Sequence, residues 1–346
     1  THTGAVFIAG GGPRFARGVY LCPPATTLIT FPPTPPKMAR YLVTGGGGFI
    51  GSNIVERLVQ NGESVRVLDN FSTGRRENLT PFQNSIQVIE GDIRSYHIVR
   101  RAVQDVDYVL HQAALGSVPR SINDPITTND VNIGGTLNLL HACVENRVKR
   151  FVFASSSSVY GDTEVSPKHE GLTPNPKSPY AVSKLTGEYY CKVFHQLHGL
   201  ETVCLRYFNV FGPRQNPNSE YAAVIPKFLR LLKMGKRPLV HGDGEQSRDF
   251  TYVQNNVNAN LQACEAPGIG GKVFNIACGD QYSLNTLLNH LNSILGTNIE
   301  AEYGEVRPGD VMHSKADISR AMEEMLYRPE VDFRTGLELL AQKFEF

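Results

Sequence analysis

The sequence predicts an α/β protein built on a doubly wound parallel sheet, with a smaller C-terminal α/β lobe. Three observations carry that expectation. Short, near-continuous apolar runs alternate with amphipathic stretches over residues 40–212, as strands buried on both faces alternate with the helices that cover them. The first apolar run leads directly into GGGGFIGSNIVERLVQNG, which sets Gly45, Gly48 and Gly51 at G-x-x-G-x-x-G spacing between strand and helix. Beyond residue 212 the alternation loosens into segments punctuated by proline and glycine.

Residues 40–44 (RYLVT) read as the first buried strand, and Ile50, Ile54, Val55, Leu58 and Val59 give the next helix its apolar face. Glycines permit the tight turn and let the backbone approach a pyrophosphate seated on the helix N-terminus. A second strand at 64–68 ends in Asp69. Its carboxylate can accept hydrogen bonds from adenosine ribose hydroxyls and repels a 2′-phosphate, which favours NAD over NADP. Arg75 and Arg76 are the opposing signal, since either can reach a 2′-phosphate; solvated loop positions are their other reading.

The alternation then gives a strand-like run at 86–92, a helix at 95–104 and a strand-like run at 107–114. A long helix at 126–147, the strand RFVFASS from 150, a helix at 178–198 and a run at 201–212 follow. Asp92, Ala113, Ser156 and Asn209 stand at strand carboxyl ends, where such sheets bind ligands. Further helices are expected near 221–234, 253–265, 284–296, 315–326 and 334–344. The expected division is a non-native or mobile extension at 1–37, a dinucleotide-binding Rossmann domain at 38–212, and a smaller lobe closing over the cofactor at 213–346. Some segments of the last are free to return to the first domain.

Composition bounds the function. The 346 residues are 41% apolar, enough for a large core, and a net charge of +1 without a basic stripe argues against nucleic acid as partner. No run of eighteen apolar residues suggests a membrane span. The six cysteines (Cys22, Cys143, Cys191, Cys204, Cys264, Cys278) lack C-x-x-C or metal-ligand spacing and read as reduced thiols of a cytoplasmic protein, with no metal expected. Residues 1–37 carry no acidic residue and end in the proline-rich FPPTPPK. A foreign extension ahead of Met38 is one reading, a targeting segment the other.

The candidate chemistry lies in FASSSSVYG and YAVSK. Tyr180 and Lys184 are four residues apart, which on a helix puts both on one face. An ammonium beside a phenol is expected to lower its pKa, and a serine hydroxyl from the strand end can complete a group that takes a proton from an alcohol while a cofactor takes the hydride. Taken alone, a helical Tyr/Lys pair is an ordinary surface face; the glycine motif upstream gives it weight.

G-x-x-G-x-x-G, HQAA, the serine run before VYG, YAVSK and RYFNVFG occur in that order across 38–346. In this the chain resembles the extended short-chain dehydrogenases/reductases, in particular their UDP-hexose 4-epimerase branch. The resemblance implies NAD as a tightly held cofactor, Tyr180 as acid/base at the sugar 4-hydroxyl, Lys184 as the residue that tunes it, and Ser156 as the catalytic serine. It implies cofactor contacts from Gly45, Gly48, Phe49, Ile50, Gly51, Asp69, Asn70, Asp92, Ile93, Ala113 and Ala114, with Asn132 supporting the tyrosine helix. On the nucleotide-sugar side it implies Asn209, Arg248 and Arg307 at the diphosphate and Asp310 at the uridine ribose.

The absence of an acidic pair after Ser156, where Ser157 and Ser158 stand, argues against dehydratase or decarboxylase chemistry. ALGSVPRS and the segment at 206–228 resemble UDP-N-acetylglucosamine 4-epimerases of bacterial surface-polysaccharide pathways. Gly116, Ser117, Ser157, Gln215, Ala223, Val224 and Ser314 would then line the sugar pocket, Ser314 replacing a bulky tyrosine found where only unacetylated sugars are accepted. A UDP-glucuronate or UDP-glucose/galactose 4-epimerase is the competing reading, and a non-catalytic dinucleotide sensor the reading from another class. The resemblance also implies a homodimer through the helices at 126–147 and 178–198, for which Ile133, Leu137, Leu140 and Val144 are the candidate apolar stripe.

Overall fold

The computed structural model describes residues 38–216, 224–306 and 312–344. Its first half runs β1 (Arg40–Thr44), α1 (Phe49–Gln60), β2 (Ser64–Asp69), β3 (Ile86–Glu90), α2 (Tyr96–Val103) and β4 (Tyr108–His111). It continues with α3 (Val118–Asn123), α4 (Pro125–Asn129), α5 (Gly135–Glu145), β5 (Arg150–Ser156), α6 (Pro179–His198) and β6 (Thr202–Tyr207). The second half comprises β7 (Val210–Phe211), α7 (Val224–Lys233), β8 (Leu239–His241), β9 (Ser247–Arg248), β10 (Thr251–Tyr252), α8 (Val253–Glu265) and β11 (Lys272–Ile276). It ends with β12 (Tyr282–Ser283), α9 (Leu284–Leu295), β13 (Glu302–Gly304), β14 (His313–Ser314), α10 (Ser319–Glu324) and α11 (Phe333–Lys343).

Seven strands form one parallel sheet in the order β11-β6-β5-β4-β1-β2-β3. The strand order reverses between β1 and β4, the place where open α/β sheets leave a crevice. Alternate strand residues feed opposite faces. Val43, Val152 and Val203 pack with Ile54 and Leu58 of α1 and Val257 of α8, while Leu42, Phe151 and Phe153 pack with Leu139 of α5 and Cys191 of α6. Burial on both faces is why these strands read as unbroken apolar runs.

A third core, with Phe211, Phe228, Leu229, Phe250, Leu287, Phe333 and Leu337, belongs to the smaller lobe. The chain passes between this core and the sheet core five times: between Phe208 and Phe211, Tyr252 and Val257, Ala277 and Tyr282, Ala301 and Ala316, and Tyr327 and Val331. Thus α8 and β11, both beyond residue 212, are parts of the sheet layer.

Three further expectations are corrected. The helix at 126–147 is interrupted by a π-turn at Asp130–Gly134 between α4 and α5. The run at 201–212 breaks at Asn209, where φ is +33°, into β6 and the short β7. The helix near 315–326 contracts to α10, because Ala316 is drawn into a bridge with Lys168. The five described cysteines are free thiols, four of them buried, and no described helix is long and apolar enough to cross a membrane.

Beneath α6 lies a buried ion pair. Arg206 of β6 donates from Nε and Nη2 to Glu188 of α6 at 2.8 and 2.7 Å, and the Ser155 hydroxyl of β5 donates to the same carboxylate at 2.5 Å. Both charged side chains are 4% exposed, and the guanidinium lies 4.6 Å from the Tyr160 ring centroid. Glu188→Ala strands Arg206 in the interior, and we expect a stability loss of about 3–5 kcal/mol in denaturant unfolding. Replacing both partners together with apolar residues should recover much of that loss; a double variant no better than the single one would show that the cost lies elsewhere.

Candidate active site

The crevice at the strand-order reversal is a cavity of about 740 Å³. One end is built by the glycine turn. Gly45 has φ +68°, and a Cβ there would stand 2.7 Å from the Ala113 nitrogen; a Cβ on Gly51 would overlap the Gly45 carbonyl oxygen. The turn is therefore pressed against both its own strand and the end of β4, leaving Gly48, Phe49, Ile50 and Gly51 on the cavity wall. The first turn of α1 carries no acidic side chain, so its positive end is left for an anion. A backbone cradle with no room for side chains fits the pyrophosphate of a dinucleotide.

Asp69, Asn70, Asp92 and Ile93, at and just beyond the ends of β2 and β3, line the same cavity. Asp69 also holds the turn itself: its two oxygens accept the N–H groups of Gly47 and Phe71, each at 2.8 Å. Burial raises its pKa and those two bonds oppose the rise. Asp92 accepts from Arg94 and from Asn70, and the Arg94 bond holds its pKa down at about 2. The two arginines that could have read a 2′-phosphate have acidic partners, Arg76 with Glu90 at 2.6 Å and Arg75 with Glu77 at 3.5 Å.

At the other end, three successive residues of β5 meet α6. The Lys184 ammonium donates to the Ala154 carbonyl at 2.8 Å, Ser155 bonds Glu188, and the Ser156 hydroxyl faces the Tyr180 phenol closely enough to pull its pKa downward. Ser156 Oγ accepts the Ser158 N–H at 3.2 Å, which fixes the hydroxyl on the side of Tyr180 while keeping its proton free to be donated. Asn132, in the π-turn, donates to Ser183 Oγ at 3.0 Å and accepts from the Leu115 N–H at 2.8 Å, and Ser183 in turn bonds the Tyr180 carbonyl. The base of the tyrosine is thus held from below and its tip from the side.

The expected lowering of the Tyr180 pKa by Lys184 is not what this arrangement produces. Burial raises the Tyr180 pKa, and the opposing influence is the Ser156 hydrogen bond. The Lys184 nitrogen lies 5.8 Å from the phenol ring centroid, and burial drops its own pKa to about 8. Sequence spacing identified the neighbours; it carried no information on how deeply they are buried.

Ala113, Ala114, Gly116, Ser117, Tyr180, Lys184 and Gln215 complete the sequence-predicted part of this wall. Of the serine run, Ser155 is on this wall, while Ser156 and Ser157 are not among its lining residues. A second cavity, of about 280 Å³, is lined by Asn209, Val224 and Arg248 together with Lys227 and His241, which no motif had singled out. Ser314 is 7% exposed and pairs in register with Arg248 across β14 and β9. Ala223, Arg307 and Asp310 lie outside the described residues. Tyr207, on the wall of the larger cavity, was also missed: it bonds Gln112 and Asn260, and burial pushes its phenol up to about 12. It stands inside the quoted RYFNVFG, so its signal was present.

Similarity to known proteins follows the same lines. A UDP-N-acetylglucosamine 4-epimerase from Methanobrevibacter ruminantium, solved in complex with UDP-N-acetylmuramic acid, is 42% identical, with a TM-score of 0.85 over 89% of this chain and 98% of that one. A UDP-glucuronic acid 4-epimerase from Bacillus cereus, solved with UDP-glucuronic acid and NAD, is 33% identical, with a TM-score of 0.81 over 88% and 98%. A UDP-glucose 4-epimerase of Mycolicibacterium smegmatis is 35% identical over 309 residues, covering 88% of this chain and 98% of that protein. Residues 41–277, from the first strand through the last strand of the sheet, match a single family description. With glycine turn, Tyr180–Lys184 pair and fold in agreement, the chain belongs to the NAD dependent epimerase/dehydratase family.

Proposed function

We propose that this protein interconverts UDP-N-acetylglucosamine and UDP-N-acetylgalactosamine by inverting carbon 4 of the sugar, with NAD as cofactor. At the coarser level it is an NAD-dependent UDP-sugar 4-epimerase. The observation that carries the reading is the Ser156–Tyr180–Lys184 set at one end of a cavity whose other end is the glycine turn. NAD, when bound, supplies the place where a hydride from carbon 4 is held and from which it is given back. The chain's own residues supply the proton chemistry and the binding.

Tyr180 takes the proton of the 4-hydroxyl and returns it after the 4-keto sugar has turned over. Ser156 stabilises the phenolate by donating a hydrogen bond, and buried Lys184 keeps a positive charge near it below pH ~8. Asn209 and Arg248, on the wall of the second cavity, hold the diphosphate in this reading, Arg248 through its planar fork. Asp69 and the α1 terminus hold the dinucleotide. The finer choice of an N-acetylhexosamine is supported by Ser314, a small side chain directly opposite Arg248, and by the likeness to the Methanobrevibacter epimerase.

Dimerisation is part of the proposal, through the expected helices but with a different apolar stripe. Leu140 is fully buried in the sheet core, and Leu137 and Val144 pack against it. The exposed apolar residues are Val182, Tyr189, Val193 and Leu197 along α6, with Ile122 and Ile126 beside them. The α6 residues recur at helical spacing, as bundle packing needs.

Tyr180→Phe should lower turnover roughly 10²–10⁴-fold while NAD binding persists; near-wild-type epimerisation would falsify the role of Tyr180. Losing the hydrogen bond in Ser156→Ala raises the phenol pKa, so the limb of the pH–rate profile on which activity rises with pH should move to higher pH. A profile that drops in height without moving would assign Ser156 another task. Ser314→Tyr should reduce kcat/KM for UDP-N-acetylglucosamine far more than for UDP-glucose, and an unchanged ratio, read alongside product analysis on a panel of UDP-sugars, removes the N-acetylhexosamine assignment. Sedimentation should give a dimer at micromolar concentration that Leu197→Glu converts to monomer; a monomeric wild type contradicts the proposed face.

A further inference from the structure

Arg120 lines the larger cavity and has no partner for its guanidinium among the described residues. The other described arginines without one, Arg101 and Arg147, are exposed on the surface; Arg120 is half-buried. Its backbone is fixed, because its N–H donates to Ser117 Oγ at 3.2 Å in the first turn of α3. Carboxylates on the same wall do not compensate it. Asp69 is engaged by the Gly47 and Phe71 amides, and Asp92 by Arg94 and Asn70.

A half-buried, permanently charged fork on a cavity wall, without an acid or carbonyl to satisfy it, is suited to a ligand oxyanion. We propose that Arg120 binds an oxyanion of a molecule held in the larger cavity. Two sources have that chemistry. One is the pyrophosphate of the dinucleotide, whose seat at the glycine turn borders the same space. The other is an acidic group of the sugar nucleotide, either its diphosphate or a carboxylate on its sugar, since Arg120 lies one turn beyond Ser117 in α3 and shares the cavity wall with Gly116, Ser117 and Gln215. The inference rests on the proposed function only in needing an anionic molecule in this cavity.

The experiment uses the full chain with Arg120→Gln and Arg120→Lys. Because the guanidinium has no internal partner, neither substitution breaks a bond within the described protein, and the melting temperature of ligand-free protein should not fall. If the dinucleotide supplies the oxyanion, Arg120→Gln weakens NAD binding roughly 10- to 100-fold, measured by titration of ligand-free protein. KM for UDP-N-acetylglucosamine at saturating NAD then stays unchanged. If the sugar nucleotide supplies it, NAD affinity is kept and the inhibition constant of UDP rises by a similar factor. A rise confined to UDP-glucuronate, with UDP unaffected, assigns Arg120 to a sugar carboxylate.

In either case Arg120→Lys should recover only part of the loss, having the charge without the fork. Unchanged affinity for NAD, UDP and UDP-glucuronate overturns the proposal, as does a lowered melting temperature with no change in ligand affinity. NAD and UDP titrations do not require turnover. A wild type inactive on UDP-N-acetylglucosamine would therefore defeat the proposed reaction and leave this inference standing on its own measurement.

Discussion

The attachment of α6 to the end of β5 is the constraint on which the rest of the site depends. Ala154, Ser155 and Ser156 are consecutive on the strand; the first two are bonded to Lys184 and Glu188, and the third faces Tyr180, each on a different turn of the helix. The strand is central in the sheet, so its own position is fixed by β4 and β6 on either side. Helix rotation or sliding would break all three contacts together. A phenol held in this way keeps its place without help from the substrate, which is the preorganisation that proton transfer needs.

The middle tie is the unusual one. Glu188 and Arg206 are ionised groups in a core otherwise filled by Phe151, Phe153 and Cys204, and such pairs gain little stability over apolar residues of the same shape. What the pair adds is directional. A bidentate contact fixes helix, strand β5 and strand β6 in one arrangement, whereas leucines can pack in several. Arg206 also stacks on Tyr160, whose hydroxyl donates to Asn275 of β11, and Asn275 bonds the carbonyls of Lys168 and Asp317. The Tyr180 end of the sheet is thereby joined through polar contacts to the segment that leads out of β14.

Much of this was legible because the strongest signals are local. Apolar runs buried on both faces mark parallel strands, three glycines at fixed spacing mark the turn, and Tyr180 and Lys184 share a helix face wherever a helix forms. What was not legible depends on the tertiary neighbours. β11 is five residues, half-buried at its start and preceded by the glycine-rich 268–271, so nothing local distinguishes it from a loop of the smaller lobe. The π-turn has no sequence mark beyond Gly134 and Gly135. Leu140 belonged to a plausible outward stripe, but α5 turns it into the sheet core. The Tyr180 pKa follows from burial, which a four-residue spacing cannot express, and Lys227 and His241 reach their cavity from α7 and β8, which no motif connects.

The five passages of the chain between the two cores have a mechanical consequence. A lobe joined by one strand can swing widely; one joined by five straps, distributed from Phe208 to Val331, resists being pulled away. The junction between them is therefore suited to small adjustments rather than to wide opening. The same interleaving ties the assembly of one lobe to the other. β11 fills its edge position beside β6 only after the chain has passed through Phe211–Tyr252, so the sheet closes on contacts distant in sequence, and such closure is slow. Severing the chain near residue 212 would leave neither piece a complete layer: the first would lack its last strand and α8, and the second would carry them with nothing to lie against.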